Sequence, residues 1–182
     1  MTISDWFLPA VIAAALLSLE RIFYAVIWHQ PRLVHRLHRH PLLQHLAAPT
    51  EVVRLFFLLF KGVQFAVFAG WWLYFTNPGD QIIAPPASMV LLAGLCIVFG
   101  QMLNLSVFYR LGHHGVFYGC RLGFSIPWQD GFPFNLIRHP QYVGTVLSIW
   151  GLFLLLRYPN PDWLIIPLIE TVFYVVGAHL ER

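Results

Sequence analysis

Apolar runs of about twenty residues recur along this chain, and they constrain its fold more than any other feature. Each run is long enough, as an α-helix, to cross a hydrocarbon core of roughly 30 Å. The 182 residues are 58% hydrophobic and 10% charged, which fits a membrane protein of one domain over residues 1–182. Backbone groups in lipid must pair within the protein, and a helix satisfies this within one segment. We therefore predict an all-α integral membrane protein.

Prolines and polar turns divide the apolar runs into five transmembrane helices. We expect these helices over about 6–28, 51–75, 87–109, 141–156 and 163–180. A single helix over residues 141–180 would be about 60 Å long, twice the bilayer core. Pro159 and Pro161 lie near its middle, so the last two helices are expected to form a hairpin with spanning or nearly spanning arms.

The distribution of basic residues predicts which ends of the helices face the cytoplasm. Arginines concentrate in two segments that alternate helices would bring to the same side: Arg32, Arg36 and Arg39, then Arg110, Arg121 and Arg138. The positive-inside rule places both segments in the cytoplasm, and only Arg157, at the hairpin tip, opposes it. This arrangement brings Glu181 to the same face. The net charge of +3 is thus a topology signal, and no nucleic-acid partner is expected.

The polar segment, residues 110–144, carries the main candidates for chemistry. Gly112, Gly115 and Gly119 are spaced by three and four residues, which on a helix gives one small-residue face. Such a face permits the close approach either of another helix or of a ligand. Pro140 suits the first turn of a helix, and with Arg138 the helix start would bind a carboxylate or phosphate. Arg138 also fits a purely topological role.

Other polar residues have structural interpretations. Glu20 and Lys61 lie at similar depths, which indicates a buried ion pair, with contact to a substrate head group as the alternative. Gln101 and Asn104 are expected to bond between helices. Four histidines interleave with arginines in an amphipathic pattern that favours membrane-surface contact over a metal site: His35, His38, His40 and His45. We therefore predict no bound metal.

Five motifs together resemble the phospholipid N-methyltransferases, most closely the small plant-type members. They are GQMLN (100–104), LGxxGxxYG (111–119), IPW (126–128), FPF (132–134) and RxPQYVG (138–144). The resemblance implies methylation of phosphatidyl-N-methylethanolamine, and then of its dimethyl product, to phosphatidylcholine. The implied methyl donor is S-adenosylmethionine.

The resemblance also implies a site on the cytoplasmic face. Its cofactor-binding residues would be Gly112, Gly115, Tyr118, Gly119, Arg138, His139, Pro140, Tyr142 and Glu181. Catalytic roles fall to His139 and Glu181 as candidate bases, because the attacking amine must be neutral, and to Tyr142. Arg110 or Arg121 would hold the lipid phosphate. The ring faces of Trp128 and Trp150, or of Tyr118 and Tyr142, would stabilise the cation that forms on the nitrogen.

Three other functions remain open at this point. His139 favours an isoprenylcysteine carboxyl methyltransferase, since Arg-His-Pro is typical of that family. Sterol reductases that use NADPH end in a similar segment but are much larger. A membrane scaffold or transporter would leave the polar segment unexplained. The expected location is the inner membrane of a bacterium or the endoplasmic reticulum of a eukaryote.

Overall fold

The computed structural model describes residues 3–76 and 84–181, and these contain helices and no β-strand. The helices are α1 Ile3–His29, α2 Pro31–His38, α3 Pro49–Tyr74, α4 Ala87–Val116, α5 Pro140–Leu156 and α6 Ile165–Leu180, with a 3-10 turn at Gly119–Arg121. The predicted all-α membrane fold is confirmed. The end of the bundle where α1 and α6 finish and α5 begins is called the site end, and the opposite end the hairpin end.

The helices differ in their capacity to cross a membrane. Within the described ranges, α1, α3 and α4 are long and apolar enough to span one. The apolar helices α5 and α6 have 17 and 16 residues, or about 25 Å each, and form the expected hairpin. The helix α2 was not predicted as a separate element. Pro31 occupies the first turn of α2, where proline is favoured, and the Val34 side chain of this helix is buried.

The main apolar core lies among α1, α3, α5 and α6. Glycines bring the backbones of α4 and α5 together, while α1 packs on both α3 and α6. Leu17, Phe68, Phe153 and Ile166 are among the buried core residues. The helices α3 and α4 thus have different packing partners, and the larger cavity described below lies between them.

A buried ion pair closes the hairpin end. Arg157 Nη2 lies 2.6 Å from Asp162 Oδ1, and the Trp71 indole donates to Asp162 Oδ2 at 2.8 Å. Arg157 also donates to Thr76 Oγ1 and to the carbonyl of Phe75, which ties the end of α3 to the hairpin. Arg157 is the exception to the positive-inside rule noted in the sequence. Its role is structural, since it is buried against these partners.

Two contacts fix the polar segment to the start of α3. His113 Nε2 lies 2.6 Å from Glu51 Oε1, and His114 Nδ1 lies 3.0 Å from Thr50 Oγ1. Phe117 is buried beside them in a second apolar cluster at the site end. These contacts hold the end of α4 against α3. They therefore fix the point at the site end from which the segment after α4 starts.

Candidate active site

Two cavities meet at the site end. The smaller, of about 180 Å³, lies where α5 begins and α6 ends, and its lining includes Trp28, Gly115, Tyr118, Arg138, His139, Pro140, Gln141, Tyr142 and Glu181. The larger, of about 460 Å³, lies among the helices. Tyr118 and Tyr142 line both cavities, so their side chains form a shared wall.

Two tyrosine hydroxyls hold one carboxylate in the smaller cavity. Glu181 Oε1 accepts from Tyr142 Oη at 2.5 Å and from Tyr118 Oη at 2.7 Å, and the two hydroxyl oxygens are 3.3 Å apart. The antiparallel hairpin brings Glu181, just after α6, beside the first turn of α5. Tyr118 reaches it from a left-handed backbone conformation, with φ of 57°, just before the 3-10 turn. A carboxylate has further acceptor sites, so Glu181 can also bind a ligand's donors.

The start of α5 supplies the other polar groups of this cavity. Pro140 occupies the first turn, and the His139 ring stacks on Tyr142 with centroids 5.7 Å apart. Arg138 is exposed at the cavity edge. A carboxylate, a guanidinium and aromatic rings around one cavity suit a ligand that carries both charges and a flat ring.

The larger cavity has a polar base and apolar sides. Lys61 Nζ lies 3.2 Å from Glu20 Oε1, which confirms the predicted ion pair. Gln64 donates to Glu170 at the same depth. The sides come from α3 and α4, where Phe65 and Leu105 are exposed at the cavity border.

Arg21 completes this polar base, and the sequence analysis did not single it out. Its Nη2 lies 2.9 Å from Glu20 Oε2, and its guanidinium carbon lies 4.1 Å from the Tyr174 ring centroid. It also lies 5.1 Å from the Tyr24 ring and 5.5 Å from the Tyr142 ring. An arginine within an apolar helix was signal enough to find it, since such residues are rare and commonly functional.

Comparison with known proteins identifies the family. The sequence model of the family described as phospholipid methyltransferase matches residues 88–182, just over half of the chain. This chain belongs to the phospholipid methyltransferase family. The match covers α4, the polar segment, α5 and α6, which carry the smaller cavity apart from Trp28.

Several curated relatives share parts of the sequence of this chain. It is similar to the phosphatidyl-N-methylethanolamine N-methyltransferase of Arabidopsis thaliana, with 51% identity over 53 residues, 29% of this chain and 32% of that protein. The Schizosaccharomyces pombe protein of the same name is 39% identical over 91 residues, 50% of this chain and 44% of its own. The human phosphatidylethanolamine N-methyltransferase is 28% identical over 109 residues, 59% and 53% respectively. The chain thus spans about a third to a half of the length of these relatives. No solved structure matched.

The three glycines Gly112, Gly115 and Gly119 do not share one helix face, contrary to expectation. The helix α4 kinks at Gly112, whose φ of 63° is readily adopted only by glycine. Gly115 lines the smaller cavity. Gly119 begins the 3-10 turn, and a Cβ there would lie 2.5 Å from the carbonyl oxygen of His114. Contact of Gly112 and Gly119 with a cofactor stays a prediction.

The residues predicted to bind the acceptor lie apart from one another. Arg110 donates to the carbonyl of Phe132 outside both cavities. Arg121 is beside the smaller cavity, but it donates to the carbonyl of Trp28 and stacks on that indole at 4.4 Å. Two tryptophans were predicted to stabilise the cation that forms. Trp128 is 88% exposed, and Trp150 donates to Thr171. Neither tryptophan lines either cavity.

Of the two residues expected to form hydrogen bonds between helices, Gln101 does so and, within the described part of the chain, Asn104 does not. Gln101 Nε2 donates to Ser148 Oγ at 2.8 Å and so joins α4 to α5, as predicted. Asn104 instead lines the larger cavity, and its Oδ1 is buried with no hydrogen-bond partner among the described residues.

Proposed function

We propose that this protein transfers methyl groups from S-adenosylmethionine to the head-group nitrogen of a phospholipid. The acceptors are phosphatidyl-N-methylethanolamine and its dimethyl product, and the final product is phosphatidylcholine. One observation carries the proposal: a cavity with the charged groups of Glu181 and Arg138 at the site end and a larger cavity among the helices share the wall of Tyr118 and Tyr142. A reaction between a soluble donor and a membrane lipid requires two such pockets in contact.

The residues of the smaller cavity fit the donor. The Glu181 carboxylate accepts from an ammonium or from ribose hydroxyls, while Arg138 and the start of α5 suit the donor's own carboxylate. The rings of Trp28 and Tyr118 can pack against the adenine. When bound, S-adenosylmethionine supplies a methyl group activated by the positive sulfur to which it is attached.

The chain's own contribution is positioning, proton removal and charge stabilisation. Holding the amine and the donor in line supplies much of the rate of such a transfer. The amine must lose its proton first, and His139 or Glu181 would hold that proton at the shared wall. The faces of Tyr118 and Tyr142 would stabilise the positive nitrogen as it forms.

The site end is proposed to face the cytoplasm. Seven of the described arginines are exposed at that end: Arg32, Arg36, Arg39, Arg54, Arg110, Arg121 and Arg138. The arginine at the hairpin end, Arg157, is buried in an ion pair. The exposed positive charge is therefore one-sided, which supports this orientation.

Labelled methyl transfer tests the proposed function. The purified full chain is incubated with methyl-labelled S-adenosylmethionine and one acceptor: phosphatidylethanolamine, its monomethyl or dimethyl form, or a prenylcysteine. We expect label in the monomethyl and dimethyl lipids and its loss in Glu181→Ala. Asp130→Asn, an exposed acid in the same segment, is the matched control and should retain activity.

Two outcomes would overturn the proposal. Label only in prenylcysteine would assign the carboxyl methyltransferase function. Calorimetric binding of NADPH without binding of S-adenosylmethionine would assign a reductase-like function.

A further inference from the structure

Arg21 is a buried cation with unused hydrogen-bond donors. Its side chain is only 7% exposed, and it lines the larger cavity. Its Nη2 contacts Glu20, but its Nε and Nη1 have no hydrogen-bond partner among the residues that the structure describes. Leaving charged donors buried and unpaired is costly, so an arginine that lines a cavity and has two such donors indicates a site for an acceptor.

The charges around Arg21 favour an anion as that acceptor. Glu20 is shared between Arg21 and Lys61, at 2.9 and 3.2 Å, so the two cations have one carboxylate between them within ion-pair distance. Glu170 accepts a hydrogen bond from Gln64, and no ion pair joins it to either cation among the described contacts. Tyr24 and Tyr174 present their ring faces to the Arg21 guanidinium. These faces attract the cation, but they do not accept the Nε and Nη1 hydrogens, which lie in the plane of the guanidinium.

The position of Arg21 matches one part of a phospholipid. Its guanidinium lies 5.5 Å from the ring of Tyr142, the residue that forms the wall to the smaller cavity. A phosphate at Arg21 would therefore be separated from that wall by a short spacer, such as the two carbons of an ethanolamine group. Beyond Arg21, the cavity is lined by apolar side chains that include Phe65, Phe68 and Phe108, which suit acyl chains.

We propose that Arg21 binds the phosphodiester of the acceptor lipid and so directs the lipid nitrogen to the wall of Tyr118 and Tyr142. This inference rests on the proposed function and names the group that positions its substrate. Arg110 and Arg121 were predicted for this role, but each already donates to a backbone carbonyl, that of Phe132 and that of Trp28. The Arg21 guanidinium instead has two N–H groups without a hydrogen-bond partner among the described residues, and each can donate to a phosphate oxygen.

The test varies the arginine and the phosphate together. Methyl transfer is measured with phosphatidyl-N-methylethanolamine and with its methyl phosphotriester, which keeps the amine and the acyl chains but lacks the negative charge. We expect the wild type to prefer the diester at least tenfold in kcat/KM. Arg21→Gln should lower kcat/KM for the diester about ten- to a hundredfold and leave that for the triester nearly unchanged.

Controls separate phosphate recognition from folding. The affinity for S-adenosylmethionine, measured by calorimetry, should be the same in Arg21→Gln and wild type. Arg39→Gln, which removes an exposed arginine just after α2, should keep the full preference for the diester. If Arg21→Gln fails to bind S-adenosylmethionine, Arg21→Lys replaces it. Lysine keeps the charge but lacks the guanidinium N–H groups, so a reduced preference is expected and an unchanged one contradicts the proposal.

Failure of this inference is distinguishable from failure of the proposed function. A wild type that methylates no amine lipid refutes the function itself. A wild type that methylates diester and triester equally, or an Arg21→Gln variant that keeps the preference, refutes only the phosphate site. Inhibition by millimolar inorganic phosphate that Arg21→Gln abolishes would assign the site to free phosphate instead.

Discussion

Tyr142 connects the two cavities at the scale of single atoms. Its hydroxyl donates to Glu181, its ring stacks on His139, and the same ring lies 5.5 Å from the Arg21 guanidinium. The hydroxyl and the ring thus contact different neighbours. One variant that removes only the hydroxyl and another that removes the whole ring therefore separate two effects: the loss of the hydrogen bond to Glu181 and the loss of the wall between the cavities.

Tyr142→Phe removes a donor to Glu181 and keeps the ring. We expect the affinity for S-adenosylmethionine to fall about tenfold, because a hydrogen bond to a charged group is lost, while KM for the lipid changes little. Tyr142→Ala should impair both. Tyr74→Phe, which alters an exposed tyrosine at the end of α3, is the control. Equal donor affinity in wild type and Tyr142→Phe would argue against a role for the hydroxyl.

Sequence reasoning found the residues whose chemistry conflicts with an apolar helix. The pairing of Glu20 with Lys61 followed from the cost of isolated charges in such helices. Arg21 gives the same signal in α1 and was missed, while the direction of its side chain among three rings cannot be read from hydropathy and spacing. The motif residues Tyr142 and Glu181 were named from resemblance, and their contact through the Tyr142 hydroxyl required the hairpin geometry.

At the scale of elements, the contact between α4 and α5 sets the position of the site. A Cβ on Gly144 would lie 2.6 Å from the carbonyl oxygen of Gly100, and one on Gly151 would lie 2.7 Å from that of Ala93. Because α5 begins at the smaller cavity and α4 lines both cavities, the separation of these helices controls the shared wall.

Gly144→Ala tests this contact. The added methyl group must displace the backbone of α4, so we expect a loss of about 1–3 kcal/mol in stability and a lower melting temperature in detergent. The matched change Gly94→Ala lies on α4, the partner helix, in open space and should be neutral or slightly stabilising. A melting temperature that is the same for both variants would contradict the close packing.

The elements were predicted to different degrees. The hairpin was foreseen, since Pro159 and Pro161 interrupt a run too long for one span. The predicted end of the third helix at residue 109 was too early. Arg110 and the glycines after it resemble a helix end, yet α4 continues through a kink at Gly112 to Val116. Contacts to Thr50 and Glu51 on α3 support that last turn, and such long-range contacts cannot be read from local sequence.

At the scale of the whole molecule, the fold carries its exposed positive charge at one end. The same end holds the smaller cavity, and Cys120 is exposed in its lining. Cys96, the other cysteine, lies within α4 and is partly buried. This difference allows the orientation in a membrane to be measured without adding a new residue.

Labelling of Cys120 reports that orientation. We expect a membrane-impermeant maleimide to label it in inside-out vesicles and not in right-side-out ones, because the positive-inside rule places this end in the cytoplasm. Cys120→Ser should abolish labelling, and Cys96→Ser should preserve it. Labelling from the outer side alone would reverse the proposed topology.

The different packing partners of α3 and α4 have a kinetic consequence. The larger cavity lies between these two helices, with exposed apolar residues at its border, so a lipid in the surrounding bilayer has a lateral route into it. The quantity that governs lipid occupancy is then the mole fraction of acceptor in the membrane plane, while the bulk concentration governs the soluble donor. Dilution with inert lipid would slow turnover even when the total amount of acceptor per volume stays constant.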